Sequence, residues 1–197
     1  DRKPISLKAY GTLLKDSDTR WFMFFYFITF GGFVGLANAL PLYFTVQYHV
    51  SGVAAGMLVA LIVAFGSGFR PVGGMIADRI GGIRSLLMMY TCASICIAAV
   101  GFNLPSATAA LAFFVAAMLG LGAGNGAVFQ LVPQRFRREI GVMTGLIGMA
   151  GGIGGRREVM MLLAGGIGGK QTKRAFVGGT LTANPLSCVA GYYSLIE

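Results

Sequence analysis

Every residue from Trp21 to Phe69 is uncharged, and so is every residue from Ser85 to Gln134. A third such stretch runs from Ile140 to Gly155. A helix that crosses a bilayer needs about 20 consecutive apolar residues, so each of the first two stretches is long enough for more than one crossing. Few soluble folds tolerate such runs. Composition agrees: 55% of residues are hydrophobic, only 12% are charged, and 31 of 197 are glycine. Soluble domains carry about 25% charged residues.

Breaks fall where polar and helix-ending residues gather, at "QYHVSG" (Gln47 to Gly52) and "FNLPSA" (Phe102 to Ala107). The expected helices are therefore residues 21–46, 52–80, 85–102, 107–133 and 140 onward. The chain starts at Asp1 with no signal peptide, which reads as an internal fragment.

The positive charges set the orientation. Lys3, Lys8, Lys15 and Arg20 precede the first helix, Arg79 and Arg84 follow the second, and Arg135, Arg137 and Arg138 follow the fourth. The loops around His49 and Asn103 carry no Lys or Arg. Short loops rich in Lys and Arg stay in the cytoplasm, so the N-terminal tail is expected inside a cell (inner) membrane. The net charge of +9 is thus topological, and no nucleic-acid partner is expected. His49 reads as a solvated loop residue. Cys92, Cys96 and Cys188 match neither a disulfide framework nor a zinc spacing. Cys92 and Cys96 read as small buried residues.

Arg70 breaks the pattern. It lies eight residues before Asp78, which marks the cytoplasmic end of the second helix. That places it about 12 Å along the helix, near the middle of a hydrocarbon core roughly 30 Å thick. A charge at that depth is costly and by default marks a substrate or ion path. Snorkelling over such a distance is a stretch, and the uncharged helices hold no carboxylate to pair with it. A planar guanidinium offers forked donors to a flat oxyanion. The glycines of "FGSGFRPVGG" (Phe65 to Gly74) allow close helix approach, and Pro71 removes a backbone hydrogen bond at the same point. The absence of intramembrane Asp or Glu also argues against a proton relay in this portion. These residues point to a transporter of a small anion.

"LGLGAGNGAVF" (Leu119 to Phe129) superficially suggests a dinucleotide fingerprint. That motif needs a preceding strand and a soluble βαβ unit, whereas here it sits within an uncharged helix and reads as close packing of small residues. Asn125, polar and central, either lines a pore or bonds to a neighbouring helix.

With the helices placed, "GGMIADRIGGIR" (Gly73 to Arg84) resembles the loop signature of the major facilitator superfamily, Gly-x-x-x-Asp-Arg-x-Gly-x-x-Arg, carried by Gly74, Asp78, Arg79, Gly81 and Arg84. "RWFMFFYFITFGGFVGLANALPLYF" and "GAGNGAVFQLVPQRFRREIGVMTGLIGMAGGIGG" resemble the seventh helix and the tenth-to-eleventh helix region of its nitrate/nitrite porter family. The likeness covers about residues 6–155. It implies an all-α fold: the polytopic membrane helices of a major facilitator C-terminal half, about five and incomplete, followed by a short non-membrane tail. It also implies alternating access around a midplane site, nitrate and nitrite as substrates, a bilayer, and a missing N-terminal half as partner. No cofactor is implied for this part. By position, Arg70 matches the substrate-binding arginine, Tyr26 a substrate-contacting tyrosine, and Phe129 an aromatic packed on the anion. Gly145 and Gly148 match the glycine signature that lets backbone approach the anion. Asn125 joins them as a candidate on its own polarity.

The membrane pattern stops at Gly155. A helix begun at Ile140 has by then run about 24 Å, and Arg156, Arg157 and Glu158 follow. "GGRREVMMLLAGG" and "AFVGGTLTANPLSCVAGYYSLIE" resemble class III pyridoxal-phosphate aminotransferases over about residues 154–197. That likeness implies that Thr180 matches a threonine binding the cofactor phosphate. Pyridoxal phosphate is expected only in the intact parent of this segment, because the Schiff-base lysine region is absent and Lys170 does not match it. The chain is not expected to be an enzyme. The expected organisation is 1–155 transporter and 156–197 aminotransferase-like, joined near a repeated AGGIGG.

Overall fold

The computed structural model describes residues 7–156, with side chains from residue 11 onward. Seven helices account for nearly all of it: α1 (Leu7–Lys15), α2 (Ser17–Tyr48), α3 (Gly52–Gly68), α4 (Arg70–Ile80), α5 (Gly82–Gly101), α6 (Ala107–Arg135) and α7 (Ile140–Gly154). Four stretches are long and apolar enough to cross a membrane: Ser17–Tyr48, Gly52–Ile80, Gly82–Gly101 and Ala107–Arg135. The chain is a multi-pass membrane protein, all-α among the described residues. Thr180 and the aminotransferase-like segment lie outside those residues, apart from its first few positions.

Three of the long helices open on side-chain caps. Asp16 accepts from the Asp18 amide at 2.8 Å to open α2. Ser51 and Ser106 accept from the amides of Ala54 and Ala109 to open α3 and α6. Two differences from the expected spans stand out. The short α1 precedes α2, and the stretch from 52 to 80 is divided at Phe69, one residue before Arg70. Pro71 in the first turn of α4 has no amide hydrogen to continue the ladder.

The two ends of the bundle are tied separately. At one end, Arg135 at the close of α6 pairs with Asp18 at the opening of α2, and Gln130 donates to the Asp78 carboxylate. At the other, Tyr48 donates to the Leu104 carbonyl at 3.0 Å, and Gln47 meets Asn103 at 3.5 Å. Basic loops thus share one end and the two uncharged loops share the other, as alternating crossings require. His49 is exposed.

α6 runs through the centre and packs against α2, α3, α4, α5 and α7, while α7 lies mainly on α2. Close approach depends on glycine. A Cβ at Gly122 would overlap the Gly66 carbonyl oxygen, and one at Gly126 would overlap the Arg70 carbonyl oxygen. Large apolar side chains such as Phe33, Phe44, Met118 and Ile147 are fully buried. Others, including Trp21, Met57, Leu87, Met88 and Ile95, lie exposed on the outer faces, where lipid replaces water as the neighbour. Cys92 also faces outward and Cys96 is half-buried, which corrects the expectation of buried thiols: α5 turns that stripe away from α6.

Candidate functional site

Tyr26, Phe30 and Phe33 follow the i, i+4, i+7 spacing that aligns side chains on one face of a helix. They make one aromatic face of α2. Tyr26 stacks on Phe30, with centroids 5.2 Å apart and planes 7° from parallel. Phe129 of α6 meets Tyr26 edge-on at 4.8 Å. The Arg70 guanidinium, at the first position of α4, lies 5.6 Å from the Phe30 centroid and 5.2 Å from that of Phe33. Arg70, Tyr26 and Phe129 are therefore joined through Phe30, although they come from three helices.

The break at Phe69 places Arg70 at the start of a helix rather than within one. Its backbone is set by the contact of its carbonyl on Gly126. The residue is half-buried, and its Nε is buried without a hydrogen-bond partner among the described residues. Among the described residues no carboxylate pairs with it. Cation–π contact stabilises a guanidinium by about 0.5–2 kcal/mol but leaves its charge and forked donors unspent. A permanent cation beside aromatic rings, whose edges are electropositive, suits a small flat anion.

Asn125 is 1% exposed, and neither Nδ2 nor Oδ1 has a partner among the described residues. It sits one turn before Phe129 on α6. The neighbouring-helix bond that its sequence position allows is therefore not made.

Gly145 and Gly148 are not brought to Arg70. A Cβ at either would meet nothing within 4 Å, so both lie on the open side of α7. The α7 glycine that touches these rings is Gly151, where a Cβ would press on the Tyr26 ring and on Phe30. In the loop signature, Asp78 accepts from Gln130, Gly81 takes a left-handed φ of 90°, and Arg79 and Arg84 are exposed. Gly74 is half-buried against α6.

Sequence reasoning missed Phe30, Phe33 and Gly151. The aromatic spacing from Tyr26 could have found the first two.

Comparison with known proteins follows the same line. The profile of the Major Facilitator Superfamily matches residues 1–155. A probable nitrate transporter of Staphylococcus epidermidis is 31% identical over 147 residues, covering 73% of this chain and 37% of that protein. The nitrite extrusion protein of Bacillus subtilis is 31% identical over 154 residues, covering 77% and 38%. A probable nitrate/nitrite transporter of Mycobacterium tuberculosis is 36% identical over 133 residues, covering 67% and 34%. The chain spans little more than a third of the length of these relatives.

Proposed function

Because the chain belongs to the major facilitator superfamily, we propose that it supplies the C-terminal half of a nitrate/nitrite transporter. The observation that carries this reading is Arg70: a membrane-depth guanidinium set among aromatic rings, with no hydrogen bond and no carboxylate partner among the described residues. Arg70 binds the anion, while Tyr26 and Phe129 wall the site. Gly145 and Gly148 present bare backbone on the open side of α7, where a facing N-terminal half closes the site over the anion. Gly74, Asp78, Arg79, Gly81 and Arg84 form the cytoplasmic loop that changes partners as the halves rock. The relatives, a probable nitrate transporter and a nitrite extrusion protein, support nitrate and nitrite as substrates.

Counterflow in proteoliposomes tests the reading. The chain is reconstituted with the N-terminal half of the Bacillus subtilis nitrite extrusion protein. Preloaded nitrite should drive nitrate uptake, and either anion should compete with the other. Uptake indifferent to both, but competed by another small anion, would reject nitrate while keeping the fold.

The basic loops support a cytoplasmic N-terminal end of α2 in a cell membrane. In a cysteine-free background, Asn103→Cys should react with a membrane-impermeant maleimide in intact cells. Arg84→Cys should react only after permeabilisation, and the reverse pattern would invert the topology.

Residues 156–197 are an aminotransferase-like segment joined to the transporter, with Thr180 the residue that would have faced a cofactor phosphate in its parent. The change of resemblance at a repeated AGGIGG supports this organisation. Long-read sequencing of the source DNA across codon 155 decides it. Reads that continue from Gly155 into further apolar helices would show that the join is absent from the DNA.

A further inference from the structure

A carboxamide offers two donors and two acceptor lone pairs, and burying it unpaired is unfavourable. Asn125 is 1% exposed, and both ends of its amide are unpartnered among the described residues. Packing gives no reason for this: the surrounding α6 positions are small or apolar, and an aliphatic side chain of similar volume would fill the space without an orphaned amide. The described helices enclose the side chain, so a small molecule, or a side chain moving within the bundle, is the simplest source of the missing bonds.

Its neighbours narrow the choice. Gly126, the next residue, carries the Arg70 carbonyl contact. Phe129, four residues on, leans back over the turn that holds Asn125, as helical side chains tilt toward the N-terminus. The same Phe129 closes edge-on against Tyr26. Arg70 Nε is a second buried polar atom with no partner. Orphaned polar atoms thus occur on both α4 and α6, two helices that pack directly against each other.

We propose that Asn125 is a neutral hydrogen-bonding member of the anion site, acting with Arg70. This rests on the reading of Arg70 as the anion-binding group. In the loaded state the Asn125 Nδ2–H donates toward the anion. Its Oδ1, which an anion would repel, accepts from Arg70 Nε–H directly or through one water. The guanidinium is then oriented with both terminal nitrogens toward the anion. Closure of Phe129 on Tyr26 covers the amide in the empty state.

The test compares wild type with Asn125→Leu and Asn125→Ser in the reconstituted exchanger, alongside thermal unfolding of each in detergent. Leucine removes the orphaned amide, so its unfolding temperature should equal or exceed that of wild type. Its KM for nitrate should rise about tenfold or more, the scale of one hydrogen bond to a charged group, with a smaller change in maximal rate. Serine keeps a donor and should fall between. A lower unfolding temperature for Asn125→Leu with unchanged KM would show a structural bond and overturn the inference. Unchanged KM with unchanged stability would overturn it as well. If Asn125→Leu does not insert, the serine variant decides by the same KM criterion. Failure of the nitrate reading looks different: wild type itself would show no nitrate counterflow, and that result would overturn both.

Discussion

Arg70→Lys is expected to reduce nitrate exchange by about 10- to 100-fold while leaving the protein inserted in the membrane. The charge survives the substitution, so a loss would report geometry rather than electrostatics alone. A guanidinium presents coplanar N–H groups that can grip two oxygens of a planar anion at once, whereas an ammonium is a compact point charge. Losing one charge-assisted hydrogen bond costs about 1.5–3 kcal/mol, which is about one to two powers of ten in affinity. The aromatic setting adds to the difference. Arg70 lies over Phe30 and Phe33, and a flat guanidinium stacks on such rings better than a tetrahedral ammonium does. Insertion should be spared, because lysine and arginine carry similar penalties at a helix centre. The check is counterflow normalised to the amount of transporter in the membrane. Wild-type exchange by the lysine variant would remove Arg70 from the anion site.

Much of this arrangement was legible beforehand because the bilayer imposes simple rules on charge. The uncharged runs located the four long helical stretches, and the polar clusters at His49 and Asn103 located the turns at one end. Both residues adopt the left-handed conformation, with φ of 51° and 53°. The break at Phe69 was foreshadowed by Pro71, but nothing local distinguished a bent helix from two helices. α1 escaped notice because "LKAYGTLLK" is short and carries two lysines, so no hydropathy window selects it. In the site, Arg70 announced itself by its depth, while Phe30 and Phe33 did not. Their spacing also describes ordinary helix packing, and only the position of Arg70 on a separate helix gives those rings a partner. The glycines of α7 show the same limit. Spacing groups Gly145 with Gly148 and Gly151 with Gly154, but only tertiary packing decides which pair turns toward α2.

Two alanine substitutions should therefore separate glycines that hold the fold from glycines left bare for another purpose. Gly126→Ala would place a methyl group into the Arg70 carbonyl oxygen. That oxygen belongs to backbone and cannot rotate aside, so α4 must move away from α6. Overpacking of this kind costs about 1–3 kcal/mol. The residue displaced is Arg70 itself, and a shift of about 1 Å in a positioning group can reduce function by about 10²-fold. Gly126→Ala should lower the unfolding temperature and nearly abolish exchange. Gly145→Ala should behave in the opposite way toward stability. A Cβ there meets nothing within 4 Å, and alanine is favoured over glycine within a helix by about 1 kcal/mol. Its unfolding temperature should hold or rise. If Gly145 faces the anion when the two halves close, exchange should still fall, because the new methyl would occupy space reserved for substrate or the opposing backbone. Thermal unfolding and counterflow on the same preparations distinguish the cases. A stable, fully active Gly145→Ala variant would remove that glycine from the site. A stable, active Gly126→Ala variant would mean that α4 and α6 do not meet as tightly as the contact on Arg70 requires, and the position of the guanidinium would have to be explained by the aromatic wall of α2 alone.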